Sequence, residues 1–287
     1  MSTVYIGTSA FAAEVLAAAT PKLDAVLAVT RPPSAKGRGR RLSPSPVAEA
    51  ALELGIAVAV PERLGDAAEQ IAALEPDAVV LCAYGVMVRE PLLSRYEILN
   101  VHPSLLPRWR GAAPIERAIM AGDSRTGISI MALVAELDAG PVCAAAGVEI
   151  AGDDDFGTLS ERLAALGAQL LLKALEQPRD YVPQDEAQAT YAEKITAPDR
   201  LLDPAEPAAA LERRVRALHP HIGARLADGL GVQSARLSEE SVAAGELVAR
   251  DGRLLLGATP GALELLRVKP PGGRAMDAGS YLRGHAL

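Results

Sequence analysis

Apolar runs alternate with helical segments along the first 150 residues. Short apolar stretches predict strands over 4–6, 25–29, 57–60, 78–82 and 98–101. Between them, residues 11–19, 46–54 and 66–74 place their apolar side chains at helical spacing, and a further helix begins near Pro114. Continuous apolar strands separated by amphipathic helices predict a parallel sheet covered on both faces. Residues 127–133 and 141–150 read as two more strands, added antiparallel at the edge, and 156–175 as a long helix. The pattern then changes. Pro178, Pro183, Pro198 and Pro204 interrupt a polar stretch without clear period over 176–206, a linker signature. A helix follows over 207–218, then short β-like runs at 244–249, 253–256 and 263–268 separated by Gly and Asp-Gly turns. Such strands favour a small barrel or sandwich.

Composition fits this picture. The chain has 287 residues, 49% apolar and 23% charged, enough for one large or two modest cores. The two cysteines, Cys82 and Cys143, lie in apolar or strand-like runs with neither metal-site nor disulfide spacing, and read as small buried hydrophobes. The first residues lack a charged region and an apolar cleavage-type segment, and no apolar stretch reaches membrane-spanning length. The expected location is the cytoplasm, with no membrane partner.

Charge refines the partner. The net charge of −7 argues against a globally basic nucleic-acid binder. Residues 1–200 carry 18 basic against 26 acidic side chains, whereas residues 201–287 carry 11 against 10. The C-terminal part is therefore relatively electropositive, and one basic cluster, over 31–46, stands within the acidic part. Local positive fields guide a polyanion even when the total is negative. Aromatic residues make up only 3%, so stacking on bases is not the expected grip.

Four segments carry candidate chemistry. Strand 98–101 runs out into the Pro-punctuated loop His102-Pro103-Ser104-Leu105-Leu106-Pro107-Arg108-Trp109-Arg110-Gly111. Asn100 and His102, two apart on an extended segment, face one side at a strand's carboxyl end, where α/β sheets bind ligands. A neutral donor beside a titrating one suits a developing oxyanion; alone, the pair also fits a turn cap and a core histidine. Arg31 to Pro46 holds Arg38, Arg40 and Arg41 and no acid, which reads as a solvated face or a phosphate grip. Ala83-Tyr84-Gly85 ends the fourth strand, and Asp138 precedes Ala139-Gly140-Pro141; each is compatible with a plain turn. Gly7-Thr8-Ser9 turns from strand to helix without a dinucleotide fingerprint.

The ungapped run from Asn100 to Ile115 resembles the signature of the folate-dependent formyltransferases. Its ending, Arg110-Gly111-Ala112-Ala113-Pro114-Ile115, is similar to the branch that formylates methionyl-tRNA, although Pro103 stands where many members have Gly. The resemblance implies a Rossmann-like, mostly parallel formyltransferase domain followed by a small OB-like β-barrel. It implies catalysis by Asn100, His102 and Asp138: the first two stabilise the oxyanion, while Asp138 supports the charged His102 and helps move the amine's proton. It implies that Ala83, Tyr84, Gly85, Ser104, Leu105, Leu106 and Pro107 line the pocket for 10-formyltetrahydrofolate, with no metal. It also implies that Arg38, Arg40 and Arg41 meet the acceptor end of methionyl initiator tRNA. The expected organisation is a catalytic domain over 1–180, a linker over 181–206 and a tRNA-binding β-barrel-like domain over 207–287, acting as a monomer without DNA. A sugar-nucleotide N-formyltransferase using the same donor is the alternative enzyme. A non-catalytic RNA-binding module would require Asn100, His102 or Asp138 to be missing.

Overall fold

The computed structural model describes residues 1–36 and 41–285, with Lys36 and Arg41 described in backbone alone. The chain divides into two compact units: one of 1–114, 126–148 and 160–192, the other of 115–125, 149–159 and 193–287.

The first unit is built on a seven-stranded sheet. Its strands are β1 (Ser2–Gly7), β2 (Asp24–Val29), β3 (Ala57–Ala59), β4 (Ala78–Cys82), β5 (Ile98–His102), β6 (Arg125–Ala132) and β7 (Val142–Glu149), in the order β7-β6-β5-β4-β1-β2-β3. The first five are parallel, and β6 pairs antiparallel with β5, setting His102 opposite Ser129 and Asn100 opposite Met131. The parallel strands are apolar on both faces because helices cover them. Val4, Ile6, Leu27, Val29, Val79, Leu81 and Ile98 join Ile71 and Leu92 in one buried cluster. Tyr5 is wholly buried and satisfies its hydroxyl by donating to Ala12 O at 2.7 Å.

Local chemistry sets the helix starts. Helix α1 (Ala10–Ala19) is capped by the Ser9 hydroxyl, which accepts the Ala12 N–H at 3.2 Å. Helix α2 (Pro46–Glu53) is capped by Ser45, with Pro at its first position, where a missing N–H costs nothing. The basic segment before it begins and ends in a small hairpin, with Ser34–Lys36 pairing antiparallel to Arg41–Ser43. The predicted helix over 66–74 is a 3₁₀ turn, Leu64–Ala67, leading into α3 (Ala68–Ala73). Both cysteines are free. Burial pushes the Cys82 thiol up to about 12 and raises the half-buried Cys143, so neither is poised to react near neutrality.

The second unit contains the small β domain, an antiparallel sheet. Its strands are β8 (Ala224–Arg225), β9 (Gly231–Ser238), β10 (Leu247–Arg250), β11 (Arg253–Gly257), β12 (Ala262–Lys269) and β13 (Met276–Asp277). The pairing path is β8-β9-β12-β11-β10, with β13 on β12. Leu254, Leu256, Leu263 and Leu265 pack with Leu211, Val215 and Leu218 of a helix, Ala208–Leu218, in one core.

An ion pair in this unit gives a measurable pH dependence. Burial alone would raise the Asp199 carboxyl. The Arg117 guanidinium at 2.7 Å, together with the hydroxyl and N–H of Thr196, outweighs it and holds Asp199 at about 2. A carboxylate with a depressed pKa stabilises the fold above its ordinary value near 4 and ceases to do so as pH falls through the folded value. Asp199→Asn is therefore expected to cost about 2 kcal/mol at pH 7, from the pKa difference. The gap to the native protein should close between about pH 4 and pH 2. Denaturant titrations across that range check it, and a gap independent of pH would contradict it.

Candidate active site

Three chain segments converge beyond the carboxyl ends of β4 and β5. Strand β5 carries Asn100 and His102 on one side, both buried. The turn between β6 and β7 supplies Asp138. The loop after β5 supplies backbone, through Trp109 and Gly111. Asn100 Nδ2 donates to Asp138 Oδ1 at 3.3 Å, and the Gly111 N–H donates to Asp138 Oδ2 at 2.8 Å. His102 Nε2 lies 2.8 Å from the Trp109 carbonyl. A carbonyl only accepts, so Nε2 carries a proton, and that bond fixes the tilt of the ring. Nδ1 then faces Asp138 Oδ2 at 3.7 Å, too long for a hydrogen bond but close enough for a charge to be felt. In the neutral ring Nδ1 bears no proton; only the cation offers a donor on that side.

The backbone is strained where these groups meet. Ala83, Trp109 and Asp138 follow β4, β5 and β6, and all three hold positive φ, of 41°, 62° and 47°. L-residues adopt this region at a cost, and such residues gather at functional sites. Two glycines permit the close approaches involved. At Gly111 (φ +113°) a Cβ would fall 2.8 Å from Ala192 O. At Gly140 it would fall 1.7 Å from Ala132 O, so no side chain fits behind the Asp138 turn.

The structure thus brings together Asn100, His102 and Asp138. Of the other predicted site residues, Ser104 is buried, its hydroxyl donating to Arg108 O at 2.6 Å, and Leu106 N–H donates to Ser129 Oγ at 3.1 Å. Leu106 and Pro107 line a cavity of about 360 Å³ with Val142, Cys143 and Gln184, to which Ala83, Tyr84 and Gly85 do not contribute. Tyr84 is buried in the sheet core, and the apolar Val86 and Met87 beyond Gly85 are exposed. Arg38 and Arg40 lie outside the described residues; Arg41 opens the second strand of the small hairpin. Arg108 stacks 4.3 Å from the centroid of the Trp109 ring. His219 and His221 face Asp155 and Glu116, and among the described residues no three side chains group as metal ligands.

Several participants carry no strong signal in the sequence. Arg110 is 1% exposed, and its guanidinium donates Nε to Gln184 Oε1 at 3.0 Å and both Nη atoms to Glu186 at 2.9 and 2.7 Å. Gln184 Nε2 in turn donates to the carbonyls of Asp138 and Gly140 at 2.8 and 2.7 Å. The two-residue strand Tyr191–Ala192 pairs parallel with Arg110–Gly111, which binds the 184–192 stretch to the loop.

Known proteins match along the whole chain. The formyl transferase family matches residues 2–175, and the formyl transferase C-terminal domain matches residues 194–286. The chain is 43% identical to the methionyl-tRNA formyltransferase of Halorhodospira halophila, covering 99% of this chain and 96% of that one. It is 42% identical to the methionyl-tRNA formyltransferase of Paracoccus denitrificans, covering 100% and 98%. Among solved structures, an N-formyltransferase from Helicobacter canadensis with folinic acid and dTDP-3-aminofucose superposes with a TM-score of 0.69. That alignment covers 92% of this chain and 98% of that one, and its 14% identity supports a shared fold alone.

Proposed function

This chain belongs to the methionyl-tRNA formyltransferase family, and we propose that it transfers the formyl group of 10-formyltetrahydrofolate to the α-amine of methionyl initiator tRNA at Asn100, His102 and Asp138. The observation that carries the reading is the meeting of a neutral amide, an imidazole and a carboxylate within hydrogen-bonding or charge distance at the strand ends.

The amine attacks the formyl carbon, and a carbon–nitrogen bond forms while the carbonyl oxygen gains negative charge. Asn100 Nδ2 has two N–H groups. One is spent on Asp138, and the other is available to the oxyanion. In its cationic form His102 would offer a second donor through Nδ1, with the Asp138 carboxylate as its counter-ion. The attacking nitrogen must shed a proton, and the departing donor nitrogen must gain one. Asp138 accepts the first, directly or through water, and the proton passes on to the leaving nitrogen as the carbon–nitrogen bond to the donor breaks.

The donor would lie along Ala83, Tyr84, Gly85 and the Ser104, Leu105, Leu106, Pro107 run. Backbone polar groups there are flanked by apolar Val86 and Met87, the mixture that pterin-sized pockets use. Among the described residues no helix is long and apolar enough to cross a membrane, which fits a cytoplasmic enzyme. The segment over 207–287 is assigned to tRNA, with 181–206 joining it to the catalytic part over 1–180.

The basic segment holding Arg38, Arg40 and Arg41 decides between tRNA and a small amino-sugar acceptor. If these side chains meet acceptor-stem phosphates, replacing all three with Ala should raise KM for methionyl-tRNA. It should also flatten the salt dependence, by roughly one in log–log slope for each phosphate no longer neutralised. KM for the folate donor should stay unchanged. Parallel assays with methionyl-tRNA and an amino-sugar nucleotide complete the test. Turnover of the sugar alone, or an undiminished salt slope in the triple variant, would move the assignment to the small acceptor.

A further inference from the structure

We propose that Gln184 is a positioning residue of this reaction, its side-chain amide holding the backbone turn that aims the Asp138 carboxylate. The inference rests on the reading of Asp138 as the reacting acid.

The turn needs an external hold. Asp138 sits at φ 47°, a conformation costly to most L-residues and adopted by Asp only occasionally. The neighbouring Ala135, Glu136 and Leu137 are all exposed, so packing adds little there. Within the turn, Ala139 N–H reaches Glu136 O only at 3.5 Å. Gln184 supplies what is missing. Both hydrogens of its amide are used, one on the carbonyl of Asp138 itself and one on that of Gly140, at 2.8 and 2.7 Å. The residue lies 46 positions away in sequence, so the amide pins the turn to a separate part of the fold.

Gln184 is itself held. Its Oε1 accepts Arg110 Nε at 3.0 Å, which fixes the amide orientation, because the guanidinium can only donate. Arg110 is in turn locked by its two bonds to Glu186. Gly111, the next residue, places its N–H on Asp138 Oδ2. The carboxylate is thus held from the front by Gly111 and Asn100, and its backbone from behind by Gln184. Supports one layer behind a reacting group commonly govern rate, because small misplacements of that group cost up to about 10²-fold.

Two substitutions separate positioning from structural support. Gln184→Glu keeps an acceptor for Arg110 but removes both donors to the turn. Gln184→Leu removes donors and acceptor without adding charge. The expected result is a fall in kcat by roughly 10–100-fold in both, with KM for donor and tRNA nearly unchanged. Gln184→Glu should remain folded, because its carboxylate gains an ion pair with Arg110 while the turn loses its two donors. The Gly111 amide proton gives a readout that does not need activity: as Oδ2 leaves, its NMR resonance should move upfield, as in an Asp138→Ala control. A native kcat in Gln184→Glu, a defect confined to KM, or an unmoved Gly111 resonance would overturn the proposal. Should Gln184→Leu not fold, Gln184→Glu carries both measurements. Should the native enzyme fail to formylate methionyl-tRNA, the functional reading falls instead. The Gly111 resonance then decides this inference alone: a shift sustains it and a stationary signal overturns it.

Discussion

Replacing His102 with Ala, or Asp138 with Asn, is expected to reduce formyl-transfer turnover by roughly 10²–10⁴-fold, the range of a positioned acid or base. His102→Ala removes the Nδ1 donor from the oxyanion. Asp138→Asn removes the counter-ion and the proton acceptor while keeping an oxygen for the Gly111 N–H. Both variants should remain folded. The alanine removes the His102 bond to the Trp109 carbonyl, a cost of about 1–3 kcal/mol that a domain of this size tolerates. Single-turnover rates with saturating donor, set beside thermal unfolding, check the prediction. A stable variant with near-native turnover would remove that residue from the reaction.

The second large effect is expected on stability. Arg110→Ala should cost about 3 kcal/mol, because a long buried stem is deleted and Gln184 Oε1 loses its donor. Arg110→Met fills most of the volume and should cost clearly less. Glu186 is exposed, yet Glu186→Ala should also destabilise, because it strips a buried guanidinium of its carboxylate partner and leaves it to neutral groups, Gln184 Oε1 and the Tyr191 side chain. Arg110 holds the Glu186 carboxyl below the usual carboxylate range. That contribution is therefore present at neutral pH and disappears as acid protonates Glu186. Chemical denaturation of the three variants and of the Arg110→Met, Glu186→Ala double variant measures the coupling. A Glu186→Ala protein as stable as the native one would separate the pair.

The sheet and the Asn100–His102 pair were legible in the sequence for the same reason. Strand periodicity states which side chains share a face, and runs such as Ala78–Cys82 have no polar face to present to water. Strand β9 was not legible, because Gln233, Ser234 and Arg236 dilute its pattern and two register shifts interrupt its pairing. The terminal helix Ala278–Gly284 is short, and its one signal is Asp277, which caps Ser280 N–H. Gln184 was hidden by its surroundings: a Pro-rich polar stretch without period reads as a linker. Its amide hydrogens go to backbone carbonyls, which leave no mark in side-chain identity. The left-handed conformation of Trp109 is equally silent, because that residue type does not announce it.

The shortest hydrogen bond to the Asp138 carboxylate comes from the Gly111 main chain. An amide N–H survives the replacement of any neighbouring side chain, so the grip on the acid is indifferent to substitution at loop positions that do not set the backbone path, unlike the buried Ser104 that bonds Arg108 O. It is not indifferent to chain length. One residue inserted or deleted between Ser104 and Gly111 would rotate that N–H away from Oδ2 and shift Arg110 off Gln184 in the same stroke. The loop can therefore drift in composition while its count of residues stays fixed, and its surface towards a ligand can be retuned without disturbing the acid.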